Sequence, residues 1–153
     1  NRLFSHTVGS LPARYLHTHY NFFAKSILPA GISHEERKRP EILEAYTAPF
    51  PTPESRRGTW VFPWAISHSD EWFEGIEEGL KTLQNKPVEM IWGMQDMAFG
   101  NERIIEHWRR YFPYAPVERL PDANHYLQED SPDRVAAGVR RLLSHIESAT
   151  TMH

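Results

Sequence analysis

The chain has 153 residues, a formal net charge of −3 and no cysteine. That length suffices for a packed core, and the mild acidity gives no electrostatic reason to expect nucleic acid or an anionic membrane as a partner. The absence of thiols excludes disulfides and thiolate metal sites.

No apolar run approaches the length of a membrane span and no signal peptide is visible, so no membrane association and a cytoplasmic location are expected. The first residue is Asn1 rather than Met, so translation is expected to begin upstream.

Residues 1–68 are rich in proline, aromatics and histidine. Leu11, Tyr15, Leu16 and Tyr20 are helically spaced and predict a first helix over about 11–25, punctuated by Leu28-Pro29-Ala30-Gly31. The mixed charges Glu35-Glu36-Arg37-Lys38-Arg39 read as a solvated helix face rather than a binding patch. Pro40 suits the first position of a short helix through Tyr46, where its missing N–H is not needed. Ala48-Pro49-Phe50-Pro51-Thr52-Pro53 fits neither helix nor strand, because proline removes donors from both ladders. Arg56 to Phe62 reads as a short extended or helical piece.

Ser67-His68-Ser69-Asp70 has the form of a capping box. Trp72, Phe73, Ile76, Leu80 and Leu83 then make one apolar face of a helix ending near Gln84. Val88 to Trp92 is a short apolar strand, and Gly93 permits a sharp exit. Asn101 caps a helix with Ile104, Ile105, Trp108 and Phe112 on its buried face. Pro116 to Leu120 is a second strand. Ser131-Pro132 opens a last helix carrying Val135, Val139, Leu142, Leu143 and Ile146 on one side. Helix, strand, helix, strand, helix is the signature of an α/β fold with a parallel sheet. Two strands make an incomplete sheet, so further strands are expected from an N-terminal segment outside this chain.

Asp96 and His125 each follow a strand and its exit turn, and reactive groups in open α/β sheets collect at the carboxyl ends of strands. Adjacent parallel strands lie about 5 Å apart, so an aspartate and a histidine at their tips can come within hydrogen-bond reach. A carboxylate there accepts the imidazole Nδ1–H, fixes the tautomer and stabilises the imidazolium. Singly, each residue is an ordinary turn residue; the pair in this order reads as the acid and base of a nucleophilic triad. No nucleophile motif stands upstream. His17 and His19 face different ways on a helix, and the other histidines lack a partner at ligand spacing, so neither a metal nor any other cofactor is expected. Trp60, Phe62, Trp64, Phe99 and Tyr126 are either core aromatics or the wall of an apolar substrate pocket, since both use the same residues.

Tyr46-Thr47-Ala48-Pro49-Phe50-Pro51, Arg56-Arg57-Gly58 and Phe62-Pro63 resemble the cap region of haloalkane dehalogenases of the α/β-hydrolase fold. Ile91-Trp92-Gly93-Met94-Gln95-Asp96, followed by Ala98-Phe99-Gly100, is similar to the strand and loop that bear the catalytic acid. Asp122-Ala123-Asn124-His125-Tyr126-Leu127-Gln128-Glu129-Asp130 is similar to the loop that bears the catalytic histidine. The resemblance covers most of this chain but only the second half of the family's fold. It implies a helical cap over 1–68, part of the hydrolase core over 69–153, and a nucleophilic aspartate in the N-terminal half of the fold. It implies His125 as general base, Asp96 as its orienter, and Pro63 among the pocket residues. A small, apolar, halogenated substrate is expected, hydrolysed through an aspartyl ester. Three departures stand out, the first being that the chain itself carries no nucleophile, so the isolated chain is expected to be inactive. Asn124 replaces the usual glycine before the histidine and is expected to take a left-handed backbone in its place. Met97 stands where proline is common. Alternatives on the same scaffold are an epoxide hydrolase, a serine esterase, or a non-catalytic fragment that associates through its open sheet edge.

Overall fold

The computed structural model describes residues 2–151. They form α1 (Arg2–Val8), α2 (Leu11–Tyr20), α3 (Leu28–Ala30), α4 (Pro40–Thr47), α5 (Arg57–Ile66), α6 (Asp70–Gly79), β1 (Met90–Gly93), α7 (Glu102–Arg109), β2 (Val117–Leu120), α8 (Leu127–Asp130) and α9 (Pro132–Thr151). The chain separates into two compact units: residues 1–31 with 35–77, and residues 32–34 with 78–153.

The first unit is helical. Ser10 caps α2 by accepting the Ala13 N–H at 3.4 Å. The helix stops at Tyr20, earlier than its periodicity suggests, because Asn21 takes a left-handed backbone (φ 53°, ψ 38°); asparagine pays less for that conformation than other side chains. A short π-helical turn over Phe23–Ile27 follows. The expected apolar face of α2 is not its buried face: Leu11, Tyr15, Leu16 and Tyr20 are exposed, and His17 is buried instead. The terminal carbonyls of α2 need donors. Arg56 supplies them, its guanidinium donating to Thr18 O at 2.9 Å, His19 O at 3.3 Å, Phe50 O at 3.0 Å and Pro51 O at 3.0 Å. One cation therefore ties the end of α2 to the proline-rich segment. The ambiguous stretch after Arg56 is helical, with Pro63 inside α5.

The expected capping box at Ser67 does not form. Ser67 instead ends α5, and its hydroxyl is buried without a hydrogen-bond partner among the described residues. Ser69 opens α6, its carbonyl accepting the Phe73 N–H at 3.0 Å.

The second unit holds the sheet. β1 and β2 pair in parallel, Met90 opposite Val117 and Gly93 opposite Leu120. Asn101 caps α7 by accepting the Ile104 N–H at 3.2 Å, and Ile105 and Phe112 are buried. Helix α9 lies against β1 closely enough that a Cβ on Gly138 would fall 2.4 Å from Ile91 Cδ1. Charge ties these elements together as well: Arg141 pairs with Glu89 and Glu118, and Arg134 with Glu118. Arg119 on β2 grips Glu102 on α7 with two bonds, 2.6 and 2.7 Å.

The apolar faces expected on the helices around 72–83 and 135–146 are largely uncovered. Trp72, Phe73, Ile76, Leu83, Val139, Leu143 and Ile146 are all exposed. Two four-residue strands offer too little surface to cover amphipathic helices, which gain their stability by burying such faces.

His17 makes a stability prediction. Its Nε2–H donates to Val8 O at 3.1 Å, its Nδ1 has no hydrogen-bond partner among the described residues, and burial holds its pKa below the ordinary 6.5, outweighing the Val8 bond that raises it. The unfolded chain therefore takes up this proton before the folded one, and stability is complete above pH 6.5 and falls as pH drops below it. In His17→Gln, whose amide can still donate to Val8 O, thermal unfolding followed by circular dichroism should lose less midpoint on acidification than wild type. Equal acid slopes in the two proteins would remove His17 as the source.

Candidate active site

The site starts from two strand exits. After Gly93, the Met94 N–H donates to Leu120 O at 2.9 Å and the Gln95 N–H to Ala123 O at 3.0 Å, so the acid loop leaves β1 bonded to the loop beyond β2. Asp96 Oδ1 accepts the Ala98 and Phe99 N–H groups at 2.7 and 3.1 Å, the local turn that aspartate favours. Trp92 Nε1–H donates to Phe99 O at 2.7 Å, and the Gly100 N–H to Asp96 O at 2.7 Å. These bonds consume one oxygen of the carboxylate and leave the other aimed across the loop.

That second oxygen meets the histidine. His125 Nδ1 lies 2.8 Å from Asp96 Oδ2. A carboxylate only accepts, so Nδ1 carries the proton and Nε2 is left as the basic nitrogen. The side chain of Asp96 is 11% exposed and that of His125 47%. Nε2 has no partner among the described residues. The Phe99 ring stacks on the imidazole at 5.9 Å and 28°, and Tyr126 meets it edge-on at 5.1 Å. Burial raises the Tyr126 phenol pKa. The imidazole is thus held by the carboxylate, with one aromatic alongside and another across its edge.

Asn124 differs from its expected backbone. Asn21 alone among the described non-glycine residues has positive φ. Asn124 works through its side chain, whose Oδ1 accepts the His125 N–H at 2.9 Å. Met97, where proline was noted as common, is almost fully exposed.

The pocket residues divide between the units. Phe99 and Tyr126 flank His125. Trp60 and Trp64, one turn apart on α5, line a hollow of ≈ 600 Å³ in the helical unit, together with His6, Arg14 and His68. Arg14 lies over the Trp60 ring at 4.2 Å, and His68 stacks on Trp64 at 4.5 Å. Phe62 falls on the opposite side of α5 and is 65% exposed, whereas Pro63 is buried. The four α5 residues therefore do not form one wall.

Asp130 is the residue missed from sequence. It is 5% exposed, and its carboxylate accepts N–H groups from Ser33, His34 and Asn124. An acid directly before Ser131-Pro132 reads as part of a helix start, which hides its role. No cluster of three or more potential metal ligands occurs among the described residues, and none of their helices is long and apolar enough to cross a membrane.

A parallel strand–helix–strand unit, with a carboxylate past one strand bonded to a histidine past the next, is the C-terminal portion of the α/β-hydrolase fold. Solved structures share it: a haloalkane dehalogenase DbeA-M1 loop variant from Bradyrhizobium elkanii superposes with a TM-score of 0.84 at 21% identity, over 98% of this chain and 50% of that one. In sequence, haloalkane dehalogenase 2 of Mycobacterium tuberculosis is 35% identical over 139 residues, 90% of this chain and 48% of the relative. A cis-3-alkyl-4-alkyloxetan-2-one decarboxylase of Xanthomonas campestris is 28% identical over 129 residues, 81% of this chain and 42% of that protein. No family model matches. In sequence the chain is similar to haloalkane dehalogenases, and it spans about half the length of the curated relatives it matches.

Gly93 tests how the site is held. A Cβ there would fall 2.3 Å from Asn124 O and 2.8 Å from Ala123 O, both backbone atoms that cannot swing aside. Gly93→Ala should cost about 1–3 kcal/mol by overpacking, read from urea unfolding. It should also weaken the His125 Nδ1–H resonance in NMR. A variant of unchanged stability would contradict this packing.

Proposed function

We propose that this chain supplies the acid and the base of a haloalkane dehalogenase-type hydrolase, with Asp96 and His125 in those roles. Residues 1–68 form its cap and residues 69–153 part of its hydrolase core. The observation that carries the reading is the 2.8 Å bond from His125 Nδ1 to Asp96 Oδ2, which leaves Nε2 free to take a proton.

The nucleophile comes from an N-terminal half of the fold, on a preceding segment or a separate chain. Support for such a partner comes from the half-length match to the relatives, the two-stranded sheet, and the exposed apolar faces of α6 and α9. Following the resemblance, an aspartate carboxylate there attacks an sp³ carbon and the carbon–halogen bond breaks, releasing halide and leaving an alkyl ester. His125 Nε2 then removes a proton from water, and the resulting hydroxide attacks the ester carbonyl. Collapse of that intermediate releases the alcohol, which takes the hydroxyl proton, and regenerates the aspartate, and the imidazolium returns its proton to solvent. Asp96 stabilises the imidazolium formed in between, as the acid of a triad does. The substrate is small and apolar, and Phe99 and Tyr126, which flank His125, contribute to its pocket.

The division of labour gives a two-part outcome. In the complete protein, His125→Ala should still release about one equivalent of halide, because the first displacement does not use the histidine. Steady turnover should then fall by about 10²–10⁴-fold, with the alkyl ester detectable as added mass. Steady halide release at the wild-type rate would remove His125 as base. Turnover of an oxetan-2-one but not of any haloalkane would favour the chemistry named for the decarboxylase relative.

A further inference from the structure

The buried carboxylate of Asp130 takes no part in the mechanism above, yet it is bound to the backbone that carries the base. Its Oδ1 accepts the Ser33 N–H at 2.9 Å and the His34 N–H at 3.1 Å; its Oδ2 accepts the Asn124 N–H at 2.8 Å and shares the Ser33 N–H at 3.1 Å. Among the described residues no cation pairs with it. Its charge is held by three backbone dipoles, and bonds to an ionised acceptor are the stronger class of hydrogen bond.

The anchored strip also touches the acid loop. Ser33 Oγ–H donates to Gln95 Oε1 at 2.9 Å, next to Asp96, and the Gln95 N–H reaches Ala123 O, next to Asn124. Residues 33–34, 95–96 and 123–125 thus form one closed circuit of short bonds, with Asp130 at the point where it meets the histidine.

We infer that Asp130 is a positioning residue for His125: by holding the Asn124 N–H it sets where the imidazole sits on Asp96. The inference rests on the reading of His125 as base.

The chemistry of the carboxylate makes the claim specific. Both of its oxygens face N–H donors, whereas a carboxamide has one accepting oxygen and one donating NH₂. In Asp130→Asn the amide oxygen stays with Ser33 and His34, which offer two donors. The NH₂ then faces the Asn124 N–H, donor against donor, and the histidine loop moves away.

The test uses the full-length protein labelled with ¹⁵N-histidine, comparing Asp130→Asn, Asp130→Glu and Ile105→Val. Ile105 is fully buried on α7 and takes no part in this circuit of bonds, so it controls for simple loss of stability. Asp130→Asn should lower kcat by about 10- to 100-fold, the scale of a small misplacement of a catalytic group, with KM changed less than about threefold. The His125 Nδ1–H resonance should broaden away through exchange with water. Asp130→Glu, which keeps two accepting oxygens, should recover part of both signals, and Ile105→Val should keep both. A folded Asp130→Asn with wild-type kcat and an intact resonance overturns the inference. So does a kcat loss no greater than that of Ile105→Val at matched stability. Where Asp130→Asn does not fold, Asp130→Glu is read by the same two signals, and a wild-type resonance and kcat in it overturn the inference. If no haloalkane is turned over but the resonance still depends on Asp130, the positioning stands and the substrate reading fails.

Discussion

The 2.8 Å bond between Asp96 and His125 joins residues 29 positions apart, and neither side chain reaches the other through its own loop alone. It depends on the two exits from the sheet being brought together first. Parallel pairing sets Gly93 opposite Leu120, so both chains leave the sheet at the same level. Gly93 then allows the loop beyond β2 to come where a methyl group would collide with two carbonyl oxygens. Backbone bonds from Met94 to Leu120 and from Gln95 to Ala123 close the gap. Only after these steps does the carboxylate have one oxygen satisfied locally and the other directed at the ring.

This order separates holding from chemistry. Asp96 carries both duties, one on each oxygen: Oδ1 shapes its own turn, and Oδ2 fixes the imidazole tautomer. Asn124 likewise bonds forward to the His125 N–H through its side chain and back to Asp130 through its own N–H. Short polar residues with bonds in both directions keep a surface loop in one conformation where apolar packing is thin. The helical unit solves a similar problem with Arg56, whose planar fork gathers four carbonyls that no helix or strand would satisfy.

What could be read from sequence followed the range of the interaction. Caps and turns are local, so Asn101 and Pro40 were legible, and so were both strands and the acid–histidine order. The burial of α2 was not: its apolar residues suggested a buried face, but His17 went inside because its ring could donate to Val8 across a helix connection. Asn124 was expected to imitate glycine in backbone angle and instead acts through its amide. Asp130 was invisible because two of its partners, Ser33 and His34, lie 97 and 96 residues away. Long-range bonds to backbone leave no periodicity or composition signal, and they are what this site is built from.

The same distinction bears on the apolar faces. Local periodicity identified Trp72, Phe73, Ile76 and Leu83, and Val139, Leu143 and Ile146, as helix stripes, and helices form there. What the pattern cannot supply is the surface that receives them. A strand of four residues, paired on one side only, leaves a row of backbone groups and most of a sheet face unfilled. The proposed acid and base are incomplete in the same sense, chemically rather than sterically, because the proposed function takes its nucleophile from elsewhere in the fold. Under the proposed function one complement would meet both needs: an N-terminal half of the fold would extend the sheet from the free edge of β1 and bring the nucleophile to the strand ends where Asp96 and His125 sit.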